Sequence, residues 1–209
     1  MKPIKKVAHR FSYWTPEERD TFIQACSVRD PEFTEAVIIA CHTGMRLGEL
    51  AGLKWSSVDF SRKMITVRES YNFRLKEQLP HTKNKDIVDI PMNSLVSEVM
   101  KSRKQRASHK FVFDLSLLAS ACHKLKHRCK VLGVKVIRFH DLRHTFASCL
   151  AMGGVDLMTI KELMRHKSYQ MTLRYAHLHP DHLIGKTEIL CGRGHGNVVN
   201  GHENLALLT

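Results

Sequence analysis

RFHDLRHTFASCLAMGGVDLMTIKELMRHKSYQMTLRYAHL, running from Arg138 to Leu178, is the stretch around which the chain is organised. It holds a His-x-x-Arg pair, a second histidine and, near its end, Tyr175, spread over two or three predicted helices. A spacing of three puts His140 and Arg143 on one helical face, so both can point at the same small anionic group. A phosphate suits them. Arginine presents a planar fork of donors that matches phosphate oxygens, and histidine can donate to an oxygen or move a proton near neutral pH. Tyr175 is then a candidate nucleophile. Each residue alone has a plainer reading: a solvated helix face, a helix cap, a half-buried core tyrosine with a tethered hydroxyl. The combination, with what precedes it, favours the functional one.

Working upstream, Thr15-Pro16-Glu17-Glu18 is a helix start, with Thr15 as N-cap and Glu18 reaching back as in a capping box. The helix should end near Ser27. Asp30-Pro31 opens a second, with Phe33, Val37, Ile38 and Cys41 as its apolar stripe and Thr43-Gly44 as its end. In TGMRLGELAGLKWSSVDF, Arg46 enters a third helix with Glu49 three residues on, a pair worth little if exposed. Alternation and turn residues predict strands at Val58–Phe60, Met64–Arg68 and Ile87–Pro91, a small antiparallel sheet. Lys83 and Lys85 lie in the turn entering the last strand, where a lysine can touch a phosphate or simply be solvated. A helix from Asn93 to Ala107 ends in the basic run Lys101 to Arg106, either phosphate-facing or solvated. Another is expected from Leu115 to Leu132. His123 and His127 with Cys122 and Cys129 resemble a metal box, but no carboxylate is placed to orient the imidazoles, so no metal site is expected. After Gly153-Gly154, Asp156 caps the next helix, with Leu157, Ile160 and Met164 inward and His166 just past its end. Two helices joined by a short turn also suit a helix-turn-helix reader without catalysis.

At 209 residues the chain can bury a real core, and one main domain is expected. Its 33 Lys and Arg against 20 Asp and Glu leave a formal net charge of +13, the footprint of a nucleic-acid binder. Charge alone implies affinity for polyanions, not chemistry. The six cysteines show no C-x-x-C spacing and read as reduced thiols of a cytoplasmic protein. No secretory or membrane-spanning run is visible, so no membrane partner is expected.

The blocks TGMRLGEL, TKNKDIVDIP, HDLRHTFAS and LMRHKSYQMTLRYAHL, with Arg46, Lys83, His140, Arg143, His166 and Tyr175 in that order, resemble the catalytic domain of phage-type integrases, the tyrosine recombinases. The resemblance covers roughly Thr15 to Leu178. It implies a mixed α+β, mainly helical fold with helices around a small three-stranded antiparallel sheet. It implies a site-specific recombinase or integrase that cleaves and rejoins DNA through a 3′-phosphotyrosyl intermediate, without metal or other cofactor.

By that likeness Arg46 and Arg143 bind the scissile phosphate, and His140 takes the tyrosine proton or supports the phosphate. Lys83, with Lys85 as the alternative, protonates the departing 5′-oxygen. His166 bonds a phosphate oxygen, Glu49 props the site from behind, and Tyr175 is the nucleophile. The expected partners are double-stranded recombination sites and, on DNA, a homo-tetramer that is a monomer or weak oligomer when free. Activity like that of type IB topoisomerases, or a DNA-binding or architectural module without catalysis, are the alternatives. Two departures stand out. Relatives commonly carry Leu-Gly-His-Ser where this chain has Met164-Arg165-His166-Lys167, so Arg165 and Lys167 become candidate DNA contacts together with Lys85. Family members also usually carry a helical core-binding domain before the segment that begins near Phe11, and that domain is expected to be absent. The expected layout is a basic arm over 1–12, a catalytic domain over 13–179, and a C-terminal helix and flexible tail over 180–209.

Overall fold

The computed structural model describes residues 11–81 and 87–179. Helix α1 spans Pro16–Ser27, and Thr15 and Glu18 close the expected capping box: Thr15 Oγ1 accepts from the Glu18 amide and the Glu18 carboxylate from the Thr15 amide. Helix α2, Pro31–Thr43, is apolar nearly all round and is the buried centre, with Phe33, Val37 and Ile39 fully enclosed. It stops at Gly44, which takes the left-handed conformation at φ 63°. A Cβ there would also lie 2.6 Å from Cδ1 of Phe146, so both backbone and packing require glycine. Helix α3 is Leu47–Gly52.

Strands β1 (Val58–Asp59), β2 (Met64–Val67) and β5 (Val88–Pro91) form a three-stranded antiparallel sheet in the order β1-β2-β5. Ile65 pairs with Ile90 on the face turned to the core. Asp59 Oδ1 accepts from the amides of Ser61 and Arg62 and shapes the predicted turn between β1 and β2. A second hairpin, β3 (Ser70–Asn72) with β4 (Glu77–Leu79), was not foreseen. Its turn has Lys76 at φ 55°, a position usually announced by Gly or Asn. The hairpin packs on α3 at Gly48, where a Cβ would come within 2.7 Å of the Tyr71 carbonyl oxygen.

Helix α4, Ser94–Gln105, starts at Asn93, whose side chain accepts from the Val96 amide. Its basic end, left open by the sequence, is largely structural. Arg103 is buried, stacks 4.3 Å above the Phe113 ring and pairs with Glu35 of α2, and Arg106 pairs with the other oxygen of Glu35. The single helix expected from Leu115 to Leu132 is two, α5 (Leu115–Ala119) and α6 (Ala121–Leu132). At the break the Ser120 hydroxyl donates back to the Leu117 carbonyl at 3.0 Å, competing with the backbone for that acceptor. Helix α7 is Asp141–Met152 and α8 is Leu157–Leu163, capped by Asp156 through the amides of Met158 and Thr159. The segment carrying Tyr175 is a 3₁₀ turn, Leu173–Leu178, rather than an α-helix.

Two apolar clusters share α7. Leu142 belongs to the large one, built on α1, α2, α4, α6 and the sheet; Phe146, Ala147 and Ala151 belong to a smaller one with Ile160, Met164 and Tyr175. Leu142 lies one turn above Phe146, so the helix spans the junction of the two clusters with its N-terminal end. The Trp14 amide donates to Thr145 Oγ1 and its indole to the Lys135 carbonyl, tying the incoming chain to α7 and the loop before it.

Among the described residues no helix is long and apolar enough to cross a membrane, and no group of three or more His, Cys, Asp or Glu could hold a metal. The described cysteines are free: Cys26, Cys41 and Cys129 are buried, Cys149 half-buried and Cys122 exposed. The C-terminal helix and tail expected over 180–209 lie outside the described residues, as does most of the basic arm.

Candidate active site

Arg46 is the residue just before α3, and its place there is fixed by Glu49. One Glu49 oxygen accepts from the Arg46 amide at 2.9 Å, and the other pairs with its guanidinium at 2.7 Å. This is no surface ion pair, because the Glu49 side chain is 3% exposed. Arg165, after α8, reaches Glu49 at 3.2 Å and donates to the Gly44 carbonyl at 3.0 Å. Burial raises the Glu49 carboxyl pKa, but Arg165 and Arg46 outweigh it and hold the group below the usual carboxylate value.

Arg143 projects from the first turn of α7 and donates to the carbonyls of Gly44 and Met164. Those two oxygens are free to accept because the first is the cap of α2 and the second the cap of α8. Two helix ends therefore grip one guanidinium, and their partial negative charges favour it. Burial, with Arg165 and Arg46 alongside, pushes Arg143 down to about 9, still charged at neutral pH.

These side chains meet at one cavity of about 300 Å³. Arg46, His140, Arg143, His166 and Tyr175 line it, although they come from four separate parts of the chain. Lys167 and Arg174 stand at its wall. The lining has five cationic side chains, Arg46, Arg143, Arg165, Lys167 and Arg174, and no carboxylate. Glu49, behind the lining, offsets part of this charge through Arg46 and Arg165, and a tetrahedral oxyanion in the cavity would lower the repulsion that remains.

His140 is the N-cap of α7, with an exposed ring. Partial desolvation and Arg143 lower its pKa. His166 Nδ1 lies 2.8 Å from Thr172 Oγ1, and its ring stacks parallel to Tyr175 with centroids 6.5 Å apart. Burial, then Arg143, pushes His166 down to about 4. Tyr175 is fully buried, and burial raises its phenol to about 12 against the opposing pull of Arg174 and Arg143. Its hydroxyl sits 2.7 Å from Nδ1 of His144, a residue the sequence reading passed over. The available signal was spacing: His144 follows His140 by four, hence on the same helical face.

Of the expected DNA contacts, Arg165 is inside rather than outside, its side chain 7% exposed against Glu49. It occupies the turn at φ 54°, the left-handed conformation glycine adopts freely, and this turns the side chain into the site. Lys167 is exposed. Lys83 and Lys85 lie outside the described residues.

A family model described as the phage integrase family matches residues 13–182. The chain is 31% identical to a tyrosine recombinase XerC-like protein of Caldanaerobacter subterraneus, over 90% of this chain and 56% of that protein. It is 28% identical to the integrase of Salmonella phage P22, over 87% of this chain and 48% of that one. The chain thus spans about half the length of these curated relatives. In fold it is similar to the Tn1549 transposon integrase solved with transposon right-end DNA, with TM-score 0.71 at 20% identity, covering 82% of this chain and 63% of that one. It is similar too to the catalytic domain of the bacteriophage HP1 integrase, with TM-score 0.62 at 22% identity, covering 87% of this chain and 95% of that one.

Proposed function

The chain belongs to the phage integrase family, and on that footing we propose that it is a site-specific DNA recombinase that cleaves and rejoins strands through a 3′-phosphotyrosyl intermediate. The observation that carries this is the meeting of two arginines, two histidines and a tyrosine at one carboxylate-free cavity. Its substrate is double-stranded DNA at recombination sites, a reading supported by the DNA-bound transposon integrase of the same fold.

The chemistry follows from charge. A phosphodiester resists attack because its oxygens are anionic and its leaving alkoxide is a poor one. Arg46 and Arg143 bind the non-bridging oxygens as forks, and they gain strength as charge grows on those oxygens in the transition state. Their rigidity serves this role: Arg46 is set by Glu49, and Arg143 by the carbonyls of Gly44 and Met164. A guanidinium already aimed needs little reorganisation when the phosphate arrives. His166 donates to a phosphate oxygen, and His140, at the exposed edge, supports the phosphate. Lys83, or Lys85 in its place, gives a proton to the departing 5′-oxygen.

Tyr175 Oη forms the bond to phosphorus as the bond to O5′ breaks. The phosphotyrosyl ester keeps the bond energy, so the 5′-hydroxyl of another strand can attack it and release the tyrosine. Exchange needs neither ATP nor a metal, since the arginines supply the positive charge. Four protomers would act together on two paired sites, with monomers or weak oligomers in the absence of DNA.

A nicked suicide substrate tests the reading, because its short cleaved fragment diffuses away and traps the enzyme. The wild-type protein should form a covalent protein–DNA adduct, and Tyr175→Phe should form none. DNA binding without an adduct in the wild type would leave a binding module instead of an enzyme.

A further inference from the structure

We infer that His144 is a catalytic residue of this site: its Nδ1 holds the Tyr175 hydroxyl in position and receives the phenolic proton as the Oη–phosphorus bond forms. The inference rests on the reading of Tyr175 as nucleophile. It moves the proton-accepting role away from His140, whose ring is exposed and meets His144 edge-on at 5.6 Å. Among the described residues the hydroxyl's hydrogen-bond partner is His144, at 2.7 Å.

The surroundings hold the pair together and keep the imidazole neutral. Phe11 packs against both rings, 5.1 Å from His144 and 5.1 Å from Tyr175, so the pair sits under an apolar cover facing the cavity. The charged and titratable groups acting on His144 include His140, Asp141, Arg143, Arg174 and His166, besides Tyr175 itself. Burial, then His140, keeps His144 neutral at physiological pH, at about 4, while Asp141 favours its protonated form. A neutral imidazole can accept a proton; an imidazolium could not. Of the two neutral groups the phenol is the stronger acid, so it donates and Nδ1 accepts, leaving the ring proton on Nε2.

The step balances. Oη bonds phosphorus, the P–O5′ bond breaks, the phenolic proton passes to Nδ1, and O5′ takes a proton from the general acid or water. The imidazolium formed lies near Asp141, buried at the start of the same helix, which tempers its charge. Resealing runs in reverse, with His144 returning the proton to the departing tyrosine.

The test measures adduct formation on the suicide substrate from pH 7 to 9 for wild type, Tyr175→Phe, His144→Phe and His144→Asn. The wild-type rate should be flat over this range. His144→Phe should fall by about a hundredfold or more at pH 7, the scale of a lost general base. It should then regain about tenfold per pH unit, since hydroxide must ionise the phenol once the base is gone. His144→Asn keeps an acceptor but cannot take the proton, so it should show the same slope and carries the test if the Phe variant folds poorly.

A substrate with sulfur in place of the bridging 5′-oxygen needs no leaving-group proton, so it should leave the His144→Phe deficit unchanged. A flat profile in both variants, a wild-type rate in either, or repair by the sulfur substrate would overturn the inference. No adduct from the wild type would instead remove the reading of Tyr175 on which it rests.

Discussion

Glu49 shows how much one buried side chain can decide. It faces Arg46 and Arg165 with both oxygens engaged, and Arg143 lies close enough to feel its charge. Replacing it by glutamine keeps the volume and removes the countercharge, leaving buried guanidiniums to repel one another. Glu49→Gln should therefore lose about 3 kcal/mol of stability, the usual result of breaking one side of a buried pair. DNA should restore part of that loss, so the rise in Tm on adding a recombination site should exceed the wild-type rise. An equal rise in both would mean that the arginines do not await an anion.

The histidines give a second prediction. His42, His144 and His166 all sit at about 4, below the ordinary 6.5. Between those values the unfolded chain binds protons that the folded chain refuses, so acidification favours unfolding. Stability should be level above about pH 6.5 and fall by roughly 2 kcal/mol or more as pH drops toward 4.5, after allowing for partial exposure. Glu49, held low, adds its loss as pH falls from the ordinary carboxylate value of 4.5 toward its own lowered one. A Tm constant from pH 7 to 5 would contradict this.

Arg46, His140, Arg143, His166 and Tyr175 could be named from the sequence because they stand in blocks that resemble the family's motifs, and the structure brings them to one cavity. His144 was hidden by its own neighbour, since His140 fills the motif position. Arg165 read as a surface cation because nothing in the sequence says that its backbone turns left-handed and brings the side chain inward.

At the scale of elements, helix caps made boundaries legible: Thr15, Asp30, Asn93 and Asp156 all mark helix starts, and Gly44 an end. The β3–β4 hairpin was missed because its strands have three residues each and its turn uses a lysine where glycine is usual. The break at Ser120 was missed because serine is tolerated within helices, and nothing in the sequence marks its hydroxyl's bond back to the Leu117 carbonyl. Gly44 joins element to site. It ends α2, admits Phe146 of α7, and offers its carbonyl to Arg143 and Arg165. Gly44→Ala should cost about 2 to 4 kcal/mol through left-handed strain and overpacking. It should also slow cleavage more than it weakens DNA binding, because the aim of Arg143 suffers while the surface charge does not. Unchanged cleavage by a folded Gly44→Ala protein would show that Arg143 is held by other means.

For the whole molecule, the net charge of +13 forecasts polyanion binding, but several of the cations behind it are held in ion pairs. Arg103 and Arg106 are tied to Glu35, and Lys124 and Arg128 to Asp30, so none of these is freely available to DNA. Binding to a duplex should still fall steeply with salt, with a logarithmic slope near −5 to −9 for roughly six to ten phosphate contacts. Arg103→Gln should reduce stability while leaving that slope unchanged, whereas Lys167→Gln should lower it by about one. The sequence could count these charges but could not sort them, because pairing with Glu35 and Asp30 joins positions 68 and 94 residues apart.

The proposed mechanism requires Tyr175 to become esterified to the 3′ end of a cleaved strand. Trapping the adduct, digesting it with trypsin and nuclease, and sequencing the modified peptide by mass spectrometry tests that most directly. A 3′-phosphonucleotide on Tyr175, with a free 5′-hydroxyl on the released strand, is the predicted result. Attachment to another residue, or to a 5′-phosphate, would contradict it.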